Sequence, residues 1–152
     1  MKRHEGLIPL SHHHHHALVV SKDLKEIGTE KGNKTYKVIL RELIDFWEKD
    51  GNEHFRDEEE VLIPLYLRFE NEPNIDLIKK VLYQHAEIRG MIAAIRNNQQ
   101  ADFEQLNLLG YLLEEHVRLE ERELFPVIEK AVPDNYLYQA SGNFHKDSYS
   151  GY

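Results

Sequence analysis

Between its clusters of Gly and Pro, this chain spaces its apolar residues in steps of three and four. That spacing holds them on one face of an α-helix and leaves no alternating strand signal. Four long helices are predicted. The first spans about 11–31, with Ser11 as N-cap and Gly32 as its stop. The second spans about 34–70, and the third about 74–97, entered through Pro73. The fourth spans about 102–132; Asp102 and Gln105 stand in capping-box spacing at its start, and Pro133 follows it. Connections of a few residues make an all-α, up-down-up-down antiparallel four-helix bundle the simplest arrangement, over residues 8–132. Residues 133–152, rich in Tyr, Ser and Gly, are expected to form a short irregular C-terminal tail.

The stripes are interrupted by polar residues near their middles. On the second helix the α-helical spacing selects Leu40, Ile44, Trp47, Gly51, His54, Glu58, Leu62, Leu65 and Phe69. On the third it selects Ile75, Ile78, Leu82, His85, Ile88, Ile92 and Ile95, and on the fourth Leu106, Leu109, Leu113, His116, Glu120, Leu124 and Val127. An imidazole or a carboxylate in an apolar stripe is costly to bury without a partner.

Two of these interruptions repeat. Residues 54–64 read HFRDEEEVLIP and residues 116–126 read HVRLEERELFP, sharing H-x-R-x-E-E-x-x-L-[IF]-P. Within each, the histidine and first glutamate are one turn apart on one face, as His54 with Glu58 and His116 with Glu120. Pro64 and Pro126 fall about two turns later, where each helix is expected to kink or re-cap. His54, His85 and His116 follow at intervals of 31 residues. At about 1.5 Å rise per residue, these counts put them at one level to within about a turn. The first helix adds one or two of the run His12 to His16. Imidazoles and carboxylates converging at one level suit iron, manganese or zinc, and the glutamates can bridge two ions.

Composition narrows the field. Against 19 basic side chains stand 27 acidic ones, a net charge of -8, which opposes nucleic-acid binding. The absence of cysteine excludes disulfides, thiolate catalysis and iron–sulfur clusters. No apolar run approaches the ~20 residues of a membrane span, and the N-terminus lacks a signal-peptide core. A soluble, cytoplasmic protein is expected.

The motifs HFRDEEEVLIP and HVRLEERELFP, with LYQHAEIRGMI and IPLSHHHHHALVV in support, resemble the hemerythrin-like, or HHE cation-binding, family over roughly residues 8–132. The resemblance implies a four-helix bundle around two non-haem iron ions, with zinc or manganese as alternatives. It implies His54, His85 and His116 as ligands and Glu58 and Glu120 as bridging carboxylates. For the first helix, phase favours His14, which shares a face with Leu10, Ala17, Leu18, Ser21 and Leu24. His15 is the next candidate, because the family often carries a His-His pair before a leucine. His12, His13 and His16 are expected to face solvent. Arg89 stands where oxygen carriers have a second third-helix histidine, and Glu121 where they have an aspartate. These departures weigh against simple reversible oxygen carriage.

Three functions compete on this reading. The first is a di-iron protein that binds or senses a diatomic ligand such as oxygen or nitric oxide, or handles iron. The second is a ferroxidase- or oxidase-type enzyme. Its Glu-x-x-His signature is missing, since Gly51, Leu82 and Leu113 stand three residues before His54, His85 and His116. The third is a metal-free helical interaction module.

Overall fold

The computed structural model describes residues 2–98 and 101–146; these residues form helices and short connections, with no strand among them. A 3-10 turn, Glu5–Leu7, leads into helix α1, Ile8–Glu26. Helix α1 begins a turn before Ser11, with Pro9 in its first turn, where a missing N–H leaves nothing unsatisfied. It also ends before Gly32. Ile27 leaves the helix in an extended conformation and Gly28 takes a φ of 76°, a turn that glycine makes without steric cost. Helix α2 (36–69) opens on Thr35, whose hydroxyl accepts the Val38 N–H. Helix α3 is Ile75–Asn98, and helix α4 (103–131) starts with the expected reciprocal capping box of Asp102 and Gln105. The tail departs from expectation: it forms helix α5, Asp134–Ser141. Its last residues, 147–152, lie outside the described residues.

Helices α2 and α4 are not uniformly α-helical. In α2, π-turns at Trp47–Gly51 and Glu58–Leu62 separate the α-segments Tyr36–Phe46, Asn52–Asp57 and Ile63–Phe69. In α4, a π-turn at Glu120–Leu124 separates Phe103–Leu119 from Phe125–Ala131. The N–H of Ile63 bonds the Glu58 carbonyl and that of Phe125 bonds the Glu120 carbonyl, the wide i to i−5 pattern. Pro64 and Pro126 sit in the first turn of the α-segment that resumes, so each helix re-caps there. The widened turn before each proline relieves the clash its ring makes in a regular α-turn.

Each π-turn adds one residue to a turn, and the buried face slips accordingly. Unbroken α-spacing selects Leu40 and Ile44 before the first π-turn, and Leu65 and Phe69 after the second. The structure instead buries Ile39, Leu43 and Phe46 before, and Ile63 and Tyr66 after. In α4 the slip moves burial from Val127 to Ile128. In α3, which has no π-turn, Ile75 and Leu82 are exposed, and Leu77 and Val81 are buried.

The core is two clusters, not one. The first joins Leu7 and Leu10 to Leu62, Val81, Leu124, Phe125 and Ile128, and α5 closes it with Leu137 and Ala140. The second joins Leu24, Leu43, Phe46 and Trp47 to Ile88, Ile92, Leu106, Leu109 and Leu113. The polar interruptions fall where each long helix passes from one cluster to the other. Among the described residues no helix is long and apolar enough to cross a membrane.

Helices α1 and α4 are antiparallel: Ser11 donates to Glu121 at 2.7 Å, Ser21 to the Gly110 carbonyl at 2.7 Å, and Asn107 to the Leu24 carbonyl at 2.8 Å. Gly110 makes this approach possible. A Cβ there would stand 2.9 Å from the Ser21 carbonyl oxygen and 3.0 Å from Leu24 Cβ. Gly110→Ala is therefore expected to destabilise the fold by about 1–3 kcal/mol, as overpacking does, despite the better helix propensity of alanine. A lowered denaturation midpoint at unchanged slope checks this; an unchanged or raised midpoint refutes it.

Candidate metal centre

Four helices each send polar side chains to one place. Phase and packing bury His14 from α1, His54 and Glu58 from α2, His85 from α3, and His116 and Glu120 from α4; both glutamates are 0% exposed. Their donor atoms fall into two groups, His14, His54, Glu58, Glu120 and Glu58, His85, His116, Glu120, with all donors of a group within 4.8 Å of one another. The carboxylates belong to both. Glu58 faces His54 Nε2 with Oε2 at 3.3 Å and His85 Nε2 with Oε1 at 3.1 Å. Glu120 faces His14 Nε2 with Oε1 at 2.8 Å and His116 Nε2 with Oε2 at 3.1 Å.

These atoms satisfy one another only in part: Glu120 accepts from His14 Nε2 at 2.8 Å and from His85 Nε2 at 3.4 Å. His54 Nε2, His116 Nε2 and both oxygens of Glu58 are buried with no hydrogen-bond partner. They lie at ion-pair distance, 3.1 to 3.3 Å, without forming hydrogen bonds. Leaving such groups unpaired costs about 1–3 kcal/mol each, more when charged. A cation between them satisfies all of them together, so the donor set fits a metal.

The chain's sequence matches that of a known domain family over residues 8–131, the hemerythrin HHE cation-binding domain. The chain belongs to the hemerythrin HHE cation-binding family. No curated protein and no solved structure matches it.

In this hemerythrin HHE domain each of the four histidines is held from behind through Nδ1. His14 Nδ1–H donates to Glu121 Oε2 at 2.6 Å, and Glu121 is fixed by Ser11 at 2.7 Å and Arg3 at 3.1 Å. His85 Nδ1–H donates to Glu59 Oε2 at 2.6 Å, and Arg89 grips both Glu59 oxygens at 2.8 and 3.0 Å. His116 Nδ1–H donates to Gln84 Oε1 at 2.7 Å. His54 Nδ1 shares a proton with His13 Nδ1 at 3.1 Å. Such outer contacts fix the ring and turn Nε2 towards the two carboxylates.

Without an ion, protons supply the positive charge. Burial opposes the His54 and His85 cations, but the carboxylates of Glu58 and Glu120 outweigh it. They raise His54 to about 10 and, with Glu59, His85 to about 11. His14 also rises against its burial, through Glu120 and Glu121. Burial opposes the Glu120 anion too, yet His116, His14 and His54 hold it well below the usual carboxylate range. His13 goes the other way: burial, reinforced by His54 and His145, pushes it down to about 2, so it is neutral.

The structure brings together six of the seven residues expected at the site. The seventh, His15, is exposed and lies outside both groups. His12 is exposed as expected, but the same expectation for His13 and His16 is corrected, since both are buried. A second layer covers that side of α1: His145 stacks on the His13 ring at 4.1 Å, and His16 meets Phe46 and donates to Asp50 at 2.8 Å. Arg89 and Glu121 stand behind histidines rather than among the donors. Sequence reading missed Gln84, His13, Asp50 and His145. Gln84 directly precedes a predicted ligand, which is a usable signal; the rest depend on where the chain returns.

Two outcomes are expected. First, metal uptake releases protons at about pH 8, where free imidazoles are already neutral; an indicator in weakly buffered solution reads the release, and none refutes the charge arrangement. Second, Glu121 is held down at about 2, because His14, Ser11 and Arg3 overcome the opposing effect of burial. A depressed acid stabilises the fold above its unfolded value and loses that contribution as pH falls through the folded one. The metal-free protein therefore loses stability from about pH 4.5 down to pH 2, and Glu121→Gln flattens that loss. Denaturant melts across this range check it. The same variant is expected to weaken metal affinity about 10–100-fold.

Proposed function

We propose that this chain is a cytoplasmic di-iron protein that binds or senses a small diatomic ligand, oxygen or nitric oxide, in an up-down-up-down four-helix bundle. The observation that carries this reading is the division of each carboxylate between two donor groups. His14 and His54 would hold one ion, His85 and His116 the other, and Glu58 and Glu120 would bridge them. Imidazole and carboxylate donors also suit manganese and zinc, so iron is the specific claim under test.

A bound iron pair supplies electrons and an open coordination position for a diatomic ligand. The residues around it do the rest. A cavity of about 20 Å³ adjoins His54 and His116, walled by Phe46, Trp47, Leu113 and Val117. It is just large enough for one water-sized or diatomic molecule, and its apolar wall disfavours water. Glu59 and Glu121 hold protons on Nδ1 of His85 and His14 and keep those rings oriented. Burial favours the neutral form of Glu59, but His85 and then Arg89 hold it ionised by direct contact. The ferroxidase-type reading is weaker, because Glu-x-x-His spacing is missing from all three histidine-bearing turns. The metal-free reading leaves the buried Glu58 oxygens without a function.

The test is anaerobic reconstitution with ferrous iron, metal analysis, and absorption spectra before and after exposure to oxygen and to nitric oxide. About two iron ions per chain are expected, with a new near-ultraviolet band after exposure. Well under one iron per chain, or spectra unchanged by either gas, overturns the proposal. Glu120→Ala is expected to lose most of the iron, since Glu120 faces histidines of both groups.

A further inference from the structure

Beside the bundle centre, on the outer side of His13, lies a third cluster that the central reading does not use. A donor atom from each of His13, Asp50 and His145 lies within 4.8 Å of the other two. His13 is 2% exposed and Asp50 0%. The Nε2 atoms of both His13 and His145 are buried with no hydrogen-bond partner. His145 Nε2 stands 3.4 Å from Asp50 Oδ1, too far for a sound hydrogen bond.

We propose that His13, Asp50 and His145 form a separate site for a divalent transition-metal cation of the zinc type, built where the C-terminal segment folds back onto α1 and α2. Two imidazoles and a carboxylate are three ligands of the kind zinc takes, and a water can complete the set.

The outer contacts hold the three side chains in place. Asp57 accepts the His145 Nδ1–H at 2.7 Å and its backbone N–H at 3.0 Å, which directs Nε2 inward. His16 donates to Asp50 Oδ2 at 2.8 Å, and Asp50 Oδ1 is the oxygen that faces His145 Nε2. Second-layer carboxylates and imidazoles of this kind position metal ligands. One adjustment is needed. The His13 and His145 rings stack with 21° between their planes, so the half-buried His145 ring must turn for both Nε2 lone pairs to meet on an ion.

The test uses the metal-stripped full chain, Zn²⁺ as the probe, and equilibrium dialysis with metal analysis. Glu58→Gln with Glu120→Gln disables the centre. That double variant is expected to bind about one Zn²⁺ per chain, and adding His145→Ala abolishes the binding. In the otherwise unaltered chain, His145→Ala removes one bound equivalent and leaves the others. Zn²⁺ also slows hydrogen exchange of the His145 amide in the double variant. Uptake unaffected by His145→Ala in both backgrounds, or a natively folded double variant that binds no Zn²⁺, overturns the site. If the double variant takes up as much Zn²⁺ as the unaltered chain, the reading of the centre fails instead, and the His145 comparison still decides this one.

Discussion

Two carboxylates with no access to water, Glu58 and Glu120, set the terms for the rest of this molecule. An ionised carboxylate in a protein interior must be compensated, by protons on neighbouring imidazoles or by a cation. Every nearby feature follows from that demand. Four histidines face the pair, each histidine has an outer partner on Nδ1, and two of those partners, Glu59 and Glu121, are themselves held by arginine. Compensation proceeds outward in layers until it reaches water.

The backbone meets the same demand. Both carboxylates stand at the first residue of a π-turn, in matching positions of the two sequence repeats. A wider turn changes the helix phase by one residue, so the apolar faces on either side of the polar layer are not one straight stripe. The prolines that follow come where the widened turn tolerates them. Duplicated sequence and duplicated geometry coincide, which gives the repeat a physical reason beyond descent.

Much of this was readable in the chain. That His54, Glu58, His85, His116 and Glu120 meet was legible because each interrupts a stripe of helical period, and equal spacing along the chain put the histidines at one level. His14 was legible from phase. The capping box at Asp102 was readable because it is local. What failed shares a cause. The burial of Ile39 in place of Leu40, and of Ile128 in place of Val127, depends on a backbone irregularity that an α-helical period does not contain. The burial of His13, His16 and Asp50 depends on the chain returning at His145, a contact made by packing over a long sequence separation. The tail's helix was hidden by a composition of Tyr, Ser and Gly that suggests irregular structure.

The division of the core into two clusters has a mechanical consequence. Apolar packing binds each end of the molecule to itself, and across the middle the ends are joined by helix backbones, by charge balance and by the histidine rings stacked on Phe55 and Phe125. That middle is a waist whose stiffness depends on what sits between the carboxylates. Remove the compensation, and each end becomes a separate cooperative unit able to open without the other. The occupant of the waist thus decides whether the protein behaves as one body or two.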